Sequence, residues 1–299
     1  MSTAQTGAPA PLDLSSMTRE EWLAARVCGA SDTPTICGLN TFRTVYDLWA
    51  EKVGIKPAFE GNELTAFGLK LEPFIATEFG ERSGLVVQKC ETMFTHPKHH
   101  YMTCTPDYHV FRGSDKGLSQ IKNTSAWMAK HWESGIPDAV HVQCLTEIEI
   151  TGAPFNYAVG LIGGNRIEYR EVLPDAAVQA RICERVAWFW DLVVTRTPPP
   201  MVAEDAETIK KIFPTSEAGL EIALPGEAEE WLELRAKAAA ALKSATAQKD
   251  LAEANLKRLM GNAERGRIGK KIVSWKSGTR AGYTVEPTVT RTFSVKEEK

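Results

Sequence analysis

Two stretches of the chain, Tyr101-Met102-Thr103-Cys104-Thr105-Pro106-Asp107 and Leu118-Ser119-Gln120-Ile121-Lys122, decide the fold prediction. The turn Gly113-Ser114-Asp115-Lys116-Gly117 lies between them. Apolar and β-branched residues on each side of a glycine-bounded turn predict two strands joined as a hairpin. Because side chains at i and i+2 share one face of a strand, Gln120 and Lys122 project together and away from Ser119 and Ile121. A closed hairpin would bring Asp107 close to that pair.

An acidic residue, a polar oxygen ligand and a lysine at strand ends can hold a hard cation beside a water molecule. Asp107, followed by Gln120 and Lys122, resembles the Asp, then Glu-x-Lys signature of the PD-(D/E)xK nucleases, with Gln in place of Glu. Other matches narrow the resemblance to phage recombinase exonucleases of the YqaJ type, related to lambda exonuclease. They are Gly38-Leu39-Asn40, Phe42, Leu48-Trp49, Gly68, Glu72-Pro73, Trp127, Trp132, Gly135-Ile136-Pro137 and His141-Val142-Gln143. A second Gln that the family often has is Leu145 here.

The resemblance implies an α/β (α+β) fold, in which a central mixed β-sheet flanked by helices forms a restriction-endonuclease-like nuclease core. It also implies Mg²⁺, with Mn²⁺ as a possible substitute. The implied metal ligands are Asp107, Gln120, the Ile121 carbonyl and Glu72, the last from a helix. Lys122 would orient or deprotonate the attacking water, and Gln143 is carried over as a further catalytic residue.

The small-residue turn Cys28-Gly29-Ala30-Ser31-Asp32 has two interpretations from its residues alone. Arg26 and Ser31 offer donors that suit a phosphate, or the turn is a helix terminus with an N-cap at Ser31 or Asp32. In the family, an Arg and a Ser in such a turn hold the terminal 5′-phosphate of DNA. Thr105 occupies the place of a further hydroxyl contact to that phosphate.

The function that the resemblance implies is a 5′-to-3′ exonuclease on double-stranded DNA, acting from 5′-phosphorylated ends. It would leave 3′ single-stranded tails for recombination, assemble as a ring-shaped homo-oligomer, commonly a trimer, and could have a single-strand annealing protein as partner. Gln120 removes a negative charge that a hard cation prefers, so the chain is expected to be weakened as a nuclease. Gln120 could be an engineered or a natural residue. The other hypotheses are a sequence-specific endonuclease on the same core and a non-catalytic protein that binds DNA ends.

Composition is that of a soluble globular protein, with 43% hydrophobic and 24% charged residues in 299. The six cysteines are scattered, which favours reduced thiols in the cytoplasm. No apolar run approaches the roughly 20 residues of a membrane span. The net charge of −3 excludes a uniformly basic DNA-coating protein, but not an enzyme with a confined basic channel.

Residues 1–17 are expected to be a disordered leader, and the nuclease core is expected at 18–197. The Thr197-Pro198-Pro199-Pro200 run starts a linker at 198–226, and 227–299 reads as a helical and small β accessory region. Residues 227–260, without Gly or Pro, predict one long helix or a helical hairpin. The basic residues that follow, with Trp275 and Tyr283 among them, form either a DNA-facing patch or a solvated face. They are Arg265, Arg267, Lys270, Lys271, Lys276 and Arg280.

Two further local patterns carry predictions. Helical spacing at 61–80 predicts a core face made of Leu64, Phe67, Leu71, Phe74 and Ile75. The run His96-Pro97-Lys98-His99-His100 lacks cysteine or acidic partners at metal-ligand spacing, which favours a polar hairpin loop.

Overall fold

The structure, a computed structural model, describes residues 9–15, 17–18, 21–22 and 25–279. It divides the chain into two units, Met1–Phe213 and Pro214–Lys299. The helices of the first unit are α1 Thr33–Ile36, α2 Val45–Lys52, α3 Glu63–Ser83, α4 Ala129–Glu133, α5 Asp138–Thr151, α6 Ala176–Val194 and α7 Ala206–Ile212. Its strands are β1 Leu12–Asp13, β2 Cys28–Gly29, β3 Val86–Lys89, β4 Thr92–Thr95, β5 Met102–Cys104, β6 Tyr108–Arg112, β7 Asp115–Thr124, β8 Asn156–Ile162 and β9 Arg166–Val172. In the part of the chain that the structure describes, 3₁₀ turns occur at Ala30–Asp32, Ala126–Met128 and Ala203–Asp205.

The central sheet has five strands in the order β3-β6-β7-β8-β9. The β7–β8 pair is parallel and the other pairs are antiparallel, so the sheet is mixed, as predicted. A parallel pair requires a crossover connection. Here α5 is the long helix of the segment that returns from β7 to β8.

The predicted hairpin exists, but with different strands. Arg112 pairs with Asp115, so the turn is only the two residues Gly113-Ser114 and β7 begins earlier than expected. The hairpin partner of β7 is β6, whereas β5 belongs to a second, four-stranded sheet of order β1-β4-β5-β2. Pro106 separates β5 from β6, and proline cannot donate a hydrogen bond to a ladder.

Helix α3 lies against one face of the central sheet. Asn62 caps its first turn by accepting from the Thr65 N–H at 3.0 Å, and Gly84 ends it in a left-handed conformation. The buried residues of α3 are Ile75, Ala76 and Phe79. The predicted core face is therefore wrong for three of its members: the exposed fractions are 80% for Leu64, 53% for Phe67 and 53% for Phe74.

The opposite face of the sheet is covered by α5, and α6 packs against α5. Leu145 and Ile148 of α5 pack in one buried cluster with Val186 and Phe189 of α6. Trp190 of α6 is partly buried and stacks on Tyr101 with ring centroids 5.7 Å apart. The central sheet is thus flanked by helices on both faces.

Two predicted boundaries need correction. The leader expected to be disordered at 1–17 includes β1, which pairs with Met93 and Thr92 of β4. The linker expected at 198–226 includes α7, which belongs to the first unit. Asp205, before α7, is fully buried and accepts from the Thr44 hydroxyl.

The second unit contains one long helix, α8 Ala228–Met260, rather than a helical hairpin. A short antiparallel pair, β10 Arg265–Ile268 and β11 Lys271–Ser274, follows it. Arg280 and Tyr283, which were predicted to belong to the basic stretch, lie outside the described residues. Among the helices that the structure describes, none combines the length and the apolar character needed to cross a membrane.

Candidate active site

The β6–β7 hairpin brings Asp107 to the strand that carries Gln120. Tyr108 pairs with Ser119, so Asp107 lies one residue beyond this pair, opposite Gln120. Its Oδ2 accepts from the Gln120 Nε2 at 2.6 Å and from the Ile121 N–H at 2.7 Å. Ile121 itself points into the apolar cluster beneath α3, on the face opposite Gln120, as strand alternation predicts.

Gln143, from α5, joins this pair to the lysine. Its Oε1 accepts from the Lys122 Nζ at 2.9 Å, and its Nε2 donates to the Gln120 Oε1 at 2.8 Å. The structure therefore brings four of the predicted residues, Asp107, Gln120, Lys122 and Gln143, into one hydrogen-bonded chain.

The order of donors and acceptors along these hydrogen bonds is fixed by the residues at the two ends, Lys122 and Asp107. A lysine ammonium can only donate and an ionised carboxylate can only accept. Lys122 therefore faces the Gln143 oxygen, which turns the Gln143 nitrogen toward Gln120 and the Gln120 nitrogen toward Asp107. In this arrangement Gln120 presents its nitrogen, and not its oxygen, to the carboxylate beside it.

Glu147 is a site residue that the sequence interpretation missed. It is 1% exposed, and its Oε1 accepts from the Gln143 Nε2 at 3.0 Å while its Oε2 accepts from the Asn156 Nδ2 at 2.8 Å. Burial raises the pKa of Glu147 to about 8, with a contribution from the charge of Asp107. The signal in the sequence is its spacing, because i and i+4 on a helix face the same way and Gln143 was itself a predicted site residue.

Asp107 is also in an environment that disfavours its charge. Burial raises the pKa of this carboxyl to about 6, against the opposing effect of the Lys122 ammonium. Glu72 raises it further, and the Ile121 N–H lowers it. A buried acid with a raised pKa in a cavity is typical of a functional site.

Glu72 lies on α3 and is held by a lysine from the neighbouring strand β3. The Lys89 ammonium forms an ion pair with the Glu72 Oε1 and lies 4.7 Å from the centre of the Tyr108 ring. Burial lowers the pKa of Lys89, but the hydrogen bond and charge of Glu72 outweigh this effect and leave it raised. The sequence interpretation included Glu72 but not Lys89.

The turn at Cys28–Asp32 aims Arg26 at the same region. The Arg26 Nη2 donates to the Ser31 Oγ and lies 3.4 Å from the Asp32 Oδ1, and its guanidinium lies 5.2 Å from the centre of the Trp22 ring. Asp32 occupies the N-cap position of α1, as the helix-terminus alternative predicts, but its side chain makes no capping hydrogen bond there and accepts instead from the Gly29 N–H at 3.1 Å.

Gly29 leaves room for this position of the Arg26 side chain. A Cβ built on Gly29 would lie 2.2 Å from the Arg26 Nε, far closer than real contacts allow. A side chain at residue 29 would therefore displace the guanidinium from the position in which it contacts Ser31 and Asp32.

One cavity of about 190 Å³ joins the two groups of residues. Its wall includes Arg26, Ser31 and Thr105 together with Asp107 and Lys122. Gln120, Gln143 and Glu147 also line it. Glu72 lines a wider cleft that shares Arg26, Ser31, Asp107, Gln120 and Lys122 with this cavity.

The histidine-rich run is the loop between β4 and β5, so the hairpin prediction is correct. Contrary to the expectation from sequence, partners lie nearby: ligand atoms of His96, His99 and Cys183 lie within 4.8 Å of one another. The His96 Nδ1, however, accepts from the Lys98 and His99 N–H groups at 3.0 and 2.9 Å, which places the ring proton on the Nε2 that faces the Glu149 Oε1. Neither nitrogen of this tautomer offers a lone pair to a metal.

Similarity to known proteins extends over most of the chain. A model of YqaJ-like viral recombinase domains matches residues 21–154. The uncharacterized protein YqaJ of Bacillus subtilis (strain 168) is 30% identical over 271 residues, which covers 88% of this chain and 84% of that protein. The alkaline exonuclease LHK-Exo of Laribacter hongkongensis is similar in structure, with a TM-score of 0.51 and 23% identity over 59% of this chain and 93% of that one. Its complex with dAMP gives a TM-score of 0.50 and 22% identity, over 64% and 96%.

Proposed function

The chain belongs to the family of YqaJ-like viral recombinase domains, and on this premise we propose that it is an exonuclease. It degrades double-stranded DNA from 5′-phosphorylated ends and leaves 3′ single-stranded tails for recombination. The observation that carries the proposal is the shared cavity, which is lined both by Asp107 and Lys122 and by Arg26, Ser31 and Thr105. A phosphate anchored by Arg26 would lie beside the residues that act on the adjoining backbone.

The donor set around Asp107 fits a divalent cation. Among the described residues no hydrogen bond reaches the Asp107 Oδ1, which leaves one carboxylate oxygen available. In an antiparallel ladder the N–H and C=O of one residue face the same neighbour, so the Ile121 carbonyl faces the side on which Asp107 lies. Carboxylate and carbonyl oxygens are the ligands that Mg²⁺ prefers. Asp107, the Ile121 carbonyl and a reoriented Gln120 would hold the ion, with Glu72 on the α3 side.

A bound Mg²⁺ or Mn²⁺ would supply Lewis-acid stabilisation of charge on the phosphate. The residues of the chain supply position and proton handling. Lys122, held by Gln143, orients the attacking water or takes its proton, and Asp107 must be ionised for the site to form. Because Gln120 presents a nitrogen to Asp107, its amide must turn before its oxygen can serve as a ligand.

Arg26, Ser31 and Thr105 set the direction of attack. Their donors hold the terminal 5′-phosphate, and a hydrogen bond to a charged group contributes about 1.5–3 kcal/mol. A 5′-hydroxyl end lacks the charge that this group binds, and a closed circle has no end at all. Contacts of this kind with backbone phosphate are independent of base sequence.

The test compares four substrates at equal concentration: linear duplex with 5′-phosphate ends, the same duplex with 5′-hydroxyl ends, single strands, and closed circular duplex. Among the four substrates we expect only the phosphorylated linear duplex to be degraded, with Mg²⁺ or Mn²⁺ required and Lys122→Met inactive. Cutting within closed circles would instead support a sequence-specific endonuclease.

Gln120 is tested separately. Gln120→Glu should degrade the phosphorylated duplex faster than the unchanged chain, because a carboxylate presents an oxygen in either orientation and adds negative charge. If the unchanged chain binds phosphorylated ends but degrades nothing, while Gln120→Glu is active, the chain acts as an end-binding protein.

Assembly is the remaining part of the proposal. From the family resemblance we expect a ring-shaped homo-oligomer, with three copies the commonest number, that encloses the duplex, and a single-strand annealing protein as a possible partner. Light scattering coupled to size-exclusion chromatography measures the number of copies directly.

A further inference from the structure

Glu147 is a buried carboxyl group in the wall of the candidate active-site cavity. It lines the cavity with Asp107, Gln120 and Lys122, and it is 1% exposed. The partners of its two oxygens are neutral amides, from Gln143 and Asn156. Burying a carboxylate is costly unless it is paired with a cation or is protonated.

A single side chain, that of Gln143, connects Glu147 to Gln120, one of the proposed metal ligands. The Gln143 Nε2 donates both to the Glu147 Oε1, at 3.0 Å, and to the Gln120 Oε1, at 2.8 Å. Residue 120, where the resemblance leads one to expect an acid, is neutral. Residue 147, which is connected to Asp107 through the side chains of Gln143 and Gln120, is an acid.

We propose that Glu147 supplies the negative charge that residue 120 lacks, acting through Gln143 on the cation site of Asp107. This inference rests on the proposed function and deepens it. Glu147 is then a positioning residue: it does not touch the reacting phosphate, but it adds acid charge to the cavity and holds the Gln143 amide that orders Gln120 and Lys122. In the cation-bound protein Glu147 is ionised, because the added positive charge favours its carboxylate form.

The experiment measures Mn²⁺ binding to the full-length protein without DNA, by calorimetry and by the decrease of the free Mn²⁺ signal in electron paramagnetic resonance. Four forms are compared: the unchanged chain, Glu147→Gln, Gln120→Glu, and the exchange variant that carries both substitutions. We expect Glu147→Gln to lower Mn²⁺ affinity by roughly 10- to 100-fold, the usual effect of removing a residue that orients metal ligands. The exchange variant should recover most of this affinity.

Two controls separate charge from structure. Glu149→Gln makes the same change two residues along α5, where the carboxylate contacts His96 and Gln179, and it should leave Mn²⁺ affinity unchanged. Glu147→Asp keeps the charge in a shorter side chain and should retain more affinity than Glu147→Gln. Circular dichroism checks that each variant is folded.

The results that overturn the proposal are specific. An unchanged Mn²⁺ affinity in Glu147→Gln, or no recovery in the exchange variant, refutes it. Should Glu147→Gln not fold, the exchange variant is compared with Gln120→Glu alone, and equal affinities refute it. If Mn²⁺ binding follows the expected order but no variant degrades DNA, the proposed function is wrong and the role of Glu147 in the cation site stands.

Discussion

The burial of Glu147 makes the stability of the metal-free protein depend on pH in a predictable direction. The pKa of this carboxyl is about 8 in the folded protein, against 4.5 for a solvated glutamate. The protonated form is therefore the one that stabilises the fold. This stabilisation is complete below about pH 4.5 and is lost as the pH rises toward 8.

The magnitude follows from proton linkage. Between pH 5 and pH 7 the unfolded chain has released this proton and the folded chain has kept it, so the unfolding free energy falls by about 1.4 kcal/mol per pH unit. Over that window the decrease is about 2–3 kcal/mol, a large part of the roughly 5–15 kcal/mol of a typical domain. Asp107 acts in the same direction at lower pH, since its pKa is raised from 3.8 to about 6.

The assay is urea unfolding in EDTA at pH 5, 6 and 7, followed by near-ultraviolet circular dichroism, with the unchanged chain beside Glu147→Gln. The variant retains Asp107 and lacks only the Glu147 carboxyl, so the difference between the two slopes isolates that group. We expect the unfolding free energy of the unchanged chain to fall by about 2–3 kcal/mol more than that of Glu147→Gln over this window. Glu184→Gln, an exposed site on α6, is the control and should follow the unchanged chain.

Parallel slopes for the unchanged chain and Glu147→Gln would refute the reasoning, because they would mean that Glu147 is as easily ionised in the folded state as in the unfolded one. A slope of opposite sign would place an undetected cation beside Glu147.

Three further perturbations have defined outcomes. Gly29→Ala should displace the Arg26 guanidinium. The ratio of the degradation rate on 5′-phosphate ends to that on 5′-hydroxyl ends should then fall about tenfold, which corresponds to the loss of one charged hydrogen bond. An unchanged ratio would mean that Arg26 does not contact the phosphate. Lys89→Met should raise Mn²⁺ affinity in calorimetry, because it frees a carboxylate that the lysine now holds, and equal affinities would show that this carboxylate takes no part. Charge reversal at Lys270 and Lys271 should weaken the salt dependence of DNA binding. The slope of log binding constant against log salt concentration should become shallower by about 0.9 for each DNA phosphate that the protein no longer neutralises. An unchanged slope would mean that these lysines do not contact DNA and would favour a role of the second unit in binding protein.

The part of the site on the hairpin could be predicted because strand geometry is local. Alternation places Gln120 and Lys122 on one face, and the structure connects both through Gln143. The predicted turn is too long, because Asp115, Lys116 and Gly117 have turn propensity but are the first residues of β7. Their pairing with β6 is a tertiary contact that turn propensity does not contain.

The orientation of helix α3 shows where periodicity fails. Leu64, Phe67 and Phe74 fit a helical core pattern, yet they are exposed, whereas Ile75 and Phe79 are buried against the sheet. A pattern of apolar residues indicates a face, but not whether a neighbouring element covers the first half of the helix. Lys89 could not be predicted for a related reason, because it acquires its role only from Glu72, on another element. The helical spacing of Glu147 from Gln143 was a usable signal, but the burial of Glu147 and its contact with Asn156 come from tertiary packing.

The cavity has a charge balance that gives Gln120 a consistent physical role. Lys89 neutralises Glu72, Lys122 is the nearby cation for Asp107, and Glu147 keeps its proton at pH 7, so an ionised acid at residue 120 would lack a cation partner of its own in the metal-free protein. Unpaired buried charge destabilises a fold by several kcal/mol. Gln120→Glu should therefore raise Mn²⁺ affinity and lower metal-free stability together at pH 7. Added Mn²⁺ should then raise the melting temperature of Gln120→Glu by more than that of the unchanged chain, because a ligand that binds the folded state more tightly stabilises it more. A variant that gained affinity with no decrease in metal-free stability would contradict this balance.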